Sequence, residues 1–179
     1  MGSVNRKNII FFGHSLIEFH DWQKRFPRHH VVNLGIAGET AEGLLARTGE
    51  MVNIYPSADL VFIMTGTNNI AMEDYDFLDS YRDIIRILSS AYPGARIYIH
   101  SVLPVIFEWI SNESIKKVNQ MIRALTEETE VNYVDLYPAF VNDQGEPIAE
   151  YLLDDGVHLS GSGYEVWCRM LDEIINNDL

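Results

Sequence analysis

Five short apolar runs along the chain alternate with longer segments in which apolar residues recur every three or four positions. Most of the runs are continuous rather than alternating, which is typical of strands covered on both faces of a sheet. The predicted strands are Asn8–Phe12, His30–Leu34, Leu60–Met64, Arg96–Ser101 and Asn132–Leu136. Because strands and helices alternate, the pattern predicts right-handed βαβ units and a three-layer α/β/α domain with a parallel sheet.

The segments between the strands have helical periodicity. Three apolar helix faces are predicted: Phe77, Tyr81, Ile84, Ile85 and Leu88; Ile115, Val118, Ile122 and Leu125; and Val166, Trp167, Met170, Leu171, Ile174 and Ile175. Ser162, with Glu165 three residues later, is predicted to cap the last helix. Segments 103–111 and 137–154 lack a clear period and are expected to pack over the sheet or line a pocket. No repeat or linker divides the chain, so residues 1–179 are predicted to form a single domain.

The net negative charge of the chain makes some classes of function less probable than others. Thirteen lysines and arginines against 26 aspartates and glutamates give a net charge of −13, which argues against a nucleic-acid or anionic membrane surface. No apolar run approaches the length of a membrane span, and no signal-peptide core is seen, so a cytoplasmic location is the default expectation. The single cysteine, Cys168, excludes an intrachain disulfide and is predicted to be a core thiol.

Polar residues collect at the carboxyl ends of the predicted strands, where ligands bind in open α/β sheets. The stretches concerned are Gly13-His14-Ser15 after strand one, Asn33 to Thr40 at the end of strand two, Gly66 to Asn69 after strand three, and Asp154 to His158 before the last helix. They bring a hydroxyl, backbone donors beside glycines, a side-chain amide and an Asp/His pair to one edge. Acyl transfer from a serine needs that set of groups.

The order of these motifs resembles that of a known family. Gly-x-Ser-Leu, then Gly, then Gly-x-Asn, then Asp-x-x-His is similar to the signature of the SGNH (GDSL-type) esterases and lipases. Within that family the chain looks most like the catalytic subunits of platelet-activating-factor acetylhydrolases, through the stretches NLGIAGET, GTNN, SVLP and DGVHLSGSGY. The resemblance extends from Phe11 to about Ile175, and each motif falls at the expected strand end.

The resemblance implies a role for each matching residue. Ser15 matches the nucleophile, His158 its general base and Asp155 the acid that orients the base. The oxyanion donors would be the backbone N–H groups of Ser15 and Gly38 and the side-chain amide of Asn68. Gly38 opens a predicted helix, where free N–H groups favour a developing negative charge, and the Asn68 amide stays uncharged. The fold implied is a flavodoxin-like five-stranded parallel sheet of order 2-1-3-4-5.

One position departs from the family, because His14 stands where an aspartate usually precedes the serine. Asp154 is a neighbouring alternative to Asp155 and is expected to be a solvated loop acid. His20, His29 and His30 lie in a polar stretch and are predicted to be at the surface, whereas His100 ends strand four and is predicted to lie in the core or at the rim. No residue spacing indicates a metal site, a phosphate-binding loop or a dinucleotide fingerprint, and no cofactor is expected.

The sequence therefore predicts a serine esterase that hydrolyses small or short-acyl esters, acetyl esters in particular, through an acyl-enzyme. Ile70, Met72, Phe107, Trp109 and Ile110 are candidates for an acyl or alcohol pocket. The alternatives are a carbohydrate O-deacetylase, a thioesterase or lysophospholipase, and a binding protein that kept the fold without turnover. A nucleotide-binding flavodoxin-like protein would explain neither Asn68 nor the Asp155/His158 pair. The expected partner is a small ester, with no nucleic acid and no stable membrane insertion, and analogy suggests a homodimer.

Overall fold

Five parallel strands form one sheet in the order β2-β1-β3-β4-β5 in the computed structural model, which describes residues 6–177. The strands are β1 (Asn8–Gly13), β2 (His30–Gly35), β3 (Leu60–Met64), β4 (Arg96–His100) and β5 (Asn132–Val134). The helices are α1 (Ser15–Glu18), α2 (Trp22–Arg25), α3 (Ala41–Ile54), α4 (Thr67–Ala71), α5 (Leu78–Ala91), α6 (Asn112–Glu128) and α7 (Gly161–Asn177), with two 3₁₀ helices at Tyr137–Phe140 and Ala149–Tyr151. The predicted α/β/α fold and strand order are confirmed.

The continuous apolar runs are explained by two cores, one on each face of the sheet. In β1, Ile10 and Phe12 face the core that includes residues of α3, α5 and α6, whereas Ile9 and Phe11 face the core of α1, α2 and α7. The Phe11 ring stacks on Trp22, with ring centroids 4.2 Å apart. Burial of one such side chain stabilises the fold by about 1.5–3 kcal/mol. Both faces of a strand must therefore be apolar, and its sequence does not alternate between apolar and polar residues.

The last two strands are shorter than predicted, and Ser101 gives the reason. β4 ends at His100 and β5 ends at Val134. Beyond them, the Ser101 hydroxyl oxygen accepts the N–H groups of Leu136 and Tyr137 at 2.9 and 3.0 Å. This side chain replaces the ladder partner and turns the chain into the first 3₁₀ helix.

Two local predictions were wrong. Helix α7 begins at Gly161, and the hydroxyl oxygen of Ser160, not Ser162, accepts the N–H of Gly163 at 3.2 Å. His29 is buried rather than at the surface, since its Nδ1 accepts the backbone N–H of Lys7 at 3.2 Å. His30 is exposed as predicted, and Cys168 is in the core.

None of the helices within residues 6–177 is long and apolar enough to cross a membrane.

Candidate active site

Ser15 lies at the point where β1 turns into α1. It is the first residue of α1, and His14 caps that helix by accepting the N–H of Leu16 on its Nδ1 at 3.4 Å. The serine is largely buried, yet its Oγ lies 2.9 Å from Nε2 of His158. The strand end therefore aims the hydroxyl at an imidazole 143 residues further along the chain.

Asp155 and His158 belong to one tight turn that precedes α7. Oδ2 of Asp155 lies 2.7 Å from Nδ1 of His158, and its Oδ1 accepts the N–H groups of Val157 and His158 at 2.9 and 2.8 Å. Once Nδ1–H is donated to the carboxylate, Nε2 is left to accept the hydroxyl hydrogen of Ser15. Asp154 is exposed and makes no such contact.

The hydrogen bonds at Asp155 also control its ionisation. Partial burial alone would raise the pKa of this carboxyl, but the hydrogen bonds from the backbone and ring of His158 and from the Val157 N–H outweigh burial and lower the pKa to about 2. Asp155 is thus a carboxylate at every pH at which an imidazole exchanges its proton. A fixed negative charge at this position favours a protonated imidazole at His158 over a neutral one.

The turn that carries His158 is attached to the loop after β4. The N–H of Ile106 donates to the carbonyl oxygen of Gly156 at 2.7 Å, and a Cβ on Gly156 would lie 2.0 Å from the Ile106 carbonyl oxygen. Gly156 also has a φ of +69°, which favours glycine. The two loops therefore pack backbone against backbone at a place where no larger residue fits.

Gly38 lies in a four-residue turn after β2. The N–H of Glu39 donates to the Ile36 carbonyl at 3.2 Å, and Gly38, the third residue of the turn, has a φ of +76°. A positive φ at this position is the type II pattern, in which glycine is preferred. The turn's own hydrogen bond does not use the Gly38 N–H, and no acceptor for it is found among residues 6–177.

The third predicted donor, Asn68, is oriented by the same loop. It is the second residue of α4, and its Nδ2 donates one hydrogen to the carbonyl oxygen of Glu39 at 2.9 Å. A side-chain amide has two hydrogens on nitrogen, so the second remains free for a ligand. That contact links Asn68 directly to the residue after Gly38.

His14, which stands where an aspartate usually precedes the serine, caps α1 with its imidazole. It is buried, with 1% of its surface exposed, and burial together with the nearby His158 lowers its pKa to about 4. Since Nδ1 accepts the Leu16 N–H, the hydrogen sits on Nε2, which has no partner among the described residues. His14 is therefore a neutral helix cap, and the lone pair on its Nδ1 already accepts the Leu16 N–H.

The five candidate pocket residues do not meet at one surface. Ile70 and Ile110 belong to the core between the sheet and α3, α5 and α6, because helix packing absorbs their side chains. Met72, Phe107 and Trp109 are exposed, with Trp109 at 74%, and the Phe107 and Trp109 rings meet edge to face at 6.2 Å. An open cleft of about 490 Å³ beside the His158 turn is lined by Val105, Ile106, Phe107, Glu108, Asn112, Glu146 and Pro147.

His100 lies in the core, one of the two places foreseen for it. It is fully buried, stacks on Phe62 at 5.6 Å and meets Trp167 edge-on at 5.3 Å. Neither ring nitrogen has a partner in the described part of the chain, and burial lowers the pKa of the ring to about 3. His100 is therefore a neutral core residue.

The contacts of two polar residues near Ser15 were not predicted from the sequence. Glu18 accepts the Ala37 N–H at 2.6 Å, and Asn33 donates to the carbonyl oxygens of Ile17 and His20 at 2.9 and 3.1 Å. Both contacts cross between segments that are distant in sequence, and neither residue type nor spacing signals them. Over the described range, no group of three or more His, Cys, Asp or Glu side chains is arranged to hold a metal ion.

Comparison with known proteins shows the family of the chain. Residues 11–166 match the GDSL-like lipase/acylhydrolase family. Platelet-activating factor acetylhydrolase IB subunit alpha1 of Bos taurus is 29% identical over 175 residues, which cover 93% of this chain and 74% of that protein. The alpha2 subunit of Rattus norvegicus is 28% identical over 176 residues, covering 94% of this chain and 76% of the relative.

Solved structures have the same fold. One from Streptococcus pneumoniae superposes with a TM-score of 0.84 at 29% identity and covers 97% of this chain and 86% of its own. A GDSL-like lipase from Bacteroides thetaiotaomicron gives 0.78 at 24% identity, covering 97% and 89%. The acetyl xylan esterase Axe2 variant W215I of Geobacillus stearothermophilus gives 0.74 at 22% identity, covering 94% of each chain.

Proposed function

The chain belongs to the GDSL-like lipase/acylhydrolase family, and we propose that it hydrolyses short-acyl esters, acetyl esters in particular, with Ser15 as nucleophile, His158 as general base and Asp155 as orienting acid. The observation that carries the proposal is a pair of linked hydrogen bonds. Asp155 Oδ2 lies 2.7 Å from His158 Nδ1, and His158 Nε2 lies 2.9 Å from Ser15 Oγ. Nucleophile, base and orienting carboxylate in contact are the requirement for acyl transfer from a serine.

The reaction has two halves. Oγ of Ser15 attacks the ester carbonyl while its proton passes to Nε2 of His158, which gives a tetrahedral oxyanion. The N–H groups of Ser15 and Gly38 and the free hydrogen of the Asn68 amide stabilise that oxyanion. As it collapses, the C–O bond to the alcohol breaks and His158 returns the proton to the leaving alkoxide. Water then attacks the acyl-serine with His158 again as base, releasing the carboxylic acid and restoring Ser15.

The short-acyl preference rests on the shape of the site. Ile70 and Ile110 are used in the core, and the two aromatic side chains Phe107 and Phe19 near the site are 41% and 59% exposed. The Phe19 ring centroid lies 5.3 Å from the His158 ring. A long acyl chain would find little enclosed apolar surface here, and each CH₂ that stays in water forgoes about 0.8 kcal/mol.

A carbohydrate O-deacetylase is a second candidate, favoured by the exposed aromatic rings of Phe107 and Trp109 beside an open cleft. The two candidates share Ser15, His158 and Asp155 and differ in the alcohol. Comparing turnover of acetylated xylo-oligosaccharides with that of simple alkyl acetates separates them.

A fluorophosphonate probe tests the enzymatic proposal itself, because it labels activated serines. The wild-type chain is expected to be labelled on Ser15 and to hydrolyse p-nitrophenyl acetate. Ser15→Ala should lose both properties with an unchanged circular dichroism spectrum. Ser90→Ala, at an exposed serine of α5, serves as the matched control and should keep both. Absence of labelling in the wild-type chain would instead indicate a binding protein, and labelling at another serine would refute the assignment of Ser15.

A further inference from the structure

We propose that Glu18 is a positioning residue that holds the Gly38 N–H in place to receive the oxyanion. This inference rests on the proposed function, in which Gly38 is an oxyanion donor. Glu18 lies in the same helical turn as Ser15, three residues after it, and faces the loop that follows β2. It therefore lies between the nucleophile and the donor turn without being expected to touch substrate.

The contact that carries the inference is short and specific. Oε2 of Glu18 accepts the backbone N–H of Ala37 at 2.6 Å. Ala37 is the second residue of the turn whose third residue is Gly38. Hydrogen bonds to a carboxylate are shorter and about twice as strong as neutral ones. This contact can therefore fix the Ile36–Ala37 peptide, which adjoins the Ala37–Gly38 peptide that carries the Gly38 N–H.

The backbone that carries Glu18 is itself held rigidly. The Asn33 amide donates to the carbonyls of Ile17 and His20 on either side of Glu18, at 2.9 and 3.1 Å. A Cβ on Gly35 would lie 2.2 Å from the backbone nitrogen of Glu18, so strand β2 and helix α1 pack without space between them. The Glu18 carboxylate consequently extends from a backbone that is held in place.

The far side of the turn is held by different groups. Asn68 donates to the Glu39 carbonyl at 2.9 Å, and Arg47 makes two 2.6 Å contacts with the Glu39 carboxylate and a third with the Leu34 carbonyl. Glu18 holds the second residue of the turn and these groups hold the last one. Without the Glu18 contact, the turn keeps the Ile36 N–H bond to the Gly13 carbonyl at 2.9 Å and its own bond at 3.2 Å. The central peptide, which carries the Gly38 N–H, then loses its nearest side-chain restraint and gains freedom to rotate.

Rotation of that peptide would affect the transition state more than substrate binding. An oxyanion donor must lie about 2.7–3.1 Å from the developing charge, and loss of one donor costs about 10²–10³ in kcat. A ground-state carbonyl oxygen accepts more weakly, so its binding depends less on the donor. Loss of the Glu18 contact is therefore expected to lower kcat and to leave KM nearly unchanged.

The test compares Glu18→Ala with Glu18→Gln and with Glu127→Ala as the matched control. Gln retains a carbonyl oxygen that can accept the Ala37 N–H, and Glu127 is an exposed glutamate on α6 whose loss changes the net charge equally. For each variant, kcat and KM for p-nitrophenyl acetate are measured together with the Kd of a phenylboronic acid, which forms a tetrahedral adduct on an active serine. Thermal unfolding reports on the fold.

The expected result is a fall in kcat of about 10-fold or more for Glu18→Ala, with KM within about twofold of wild type and a parallel loss of boronic acid affinity. Glu18→Gln should recover most of kcat, and Glu127→Ala should match the wild type. The inference is overturned if Glu18→Ala retains wild-type kcat, if Gln is as impaired as Ala, or if KM rises while boronic acid affinity stays constant. A wild-type chain that neither turns over esters nor binds the boronic acid refutes the proposed function, and the role of Glu18 with it.

Discussion

Asp155 holds His158 twice: Oδ2 contacts the ring nitrogen Nδ1 at 2.7 Å, and Oδ1 accepts the backbone N–H of the same residue at 2.8 Å. A single carboxylate therefore fixes both the imidazole and the peptide from which it extends. An offset of three residues within one turn makes this double contact feasible.

Replacing Asp155 by Asn should lower kcat by about two to four orders of magnitude, because an amide cannot balance the charge of the imidazolium and can turn a donor toward Nδ1. Asp154→Asn is the matched control, an adjacent exposed acid whose change should leave kcat within about twofold. Since the pKa of Asp155 is about 2, its carboxylate stays charged above pH 4, and the acid limb of the wild-type pH–rate profile should come from a different group. Equal effects of the two substitutions would assign no special role to Asp155.

His158, not His14, is expected to be the general base. His14 uses Nδ1 to cap α1, and burial and the neighbouring His158 lower its pKa to about 4, so it is a poor proton acceptor at neutral pH. His158→Ala should lose several orders of magnitude in kcat. His14→Asp places a carboxylate acceptor before the serine and should keep or raise kcat in steady-state assays of p-nitrophenyl acetate hydrolysis. The assignment fails if His14→Asp is as inactive as Ser15→Ala while His158→Ala keeps most of its turnover.

Acyl chain length should control activity steeply. A series of p-nitrophenyl esters from acetyl to palmitoyl is expected to give the highest kcat/KM at acetyl or butyryl and a fall of at least about tenfold at palmitoyl, since longer chains find no enclosed apolar surface to occupy. Rates measured with Ser15→Ala provide the background to subtract. A preference for palmitoyl would contradict the short-acyl proposal.

Acid stability should improve when His100 is replaced by Phe. The pKa of the folded ring is about 3 against 6.5 for an unperturbed histidine, so between these values the unfolded chain binds a proton that the folded chain does not. The free energy of unfolding must then decrease as the pH falls below 6.5, by up to about 1.4 kcal/mol per pH unit from this one group. Phe removes that loss and the two unpaired ring nitrogens while retaining the stack on Phe62.

Thermal unfolding at pH 7.5 and pH 4.5 measures this effect. The Tm advantage of His100→Phe over wild type should be larger at pH 4.5 than at pH 7.5. An advantage that shrinks on acidification would mean that the folded ring accepts a proton easily. His100→Leu repeats the test if the larger ring disturbs the packing.

The sequence was most informative where one chemical requirement dominates a segment. Buried parallel strands must be apolar on both faces, which is why the strand positions were predicted, and strand ends such as Gly13-His14-Ser15 followed from them. The order of the strands came from the family resemblance. It was least informative where contacts join distant segments. The Glu18–Ala37 and Asn33–Ile17 hydrogen bonds, the burial of His29 and the absorption of Ile70 into the core all depend on which helix packs beside which loop. The cap of α7 was predicted at the wrong serine because Ser160 and Ser162 have the same side chain. Which of them caps the helix depends on where the helix begins.

The separation of Ser15 and His158 by 143 positions along the chain has a consequence for biosynthesis. A ribosome makes the proposed nucleophile long before the proposed base. While the intervening chain is translated, no imidazole at position 158 is available to accept the Ser15 hydroxyl proton. In the proposed mechanism, ester cleavage is thus withheld until the turn of Asp155 and His158 has been made and has docked on the loop at Ile106. The order of synthesis keeps a half-built hydrolase inert.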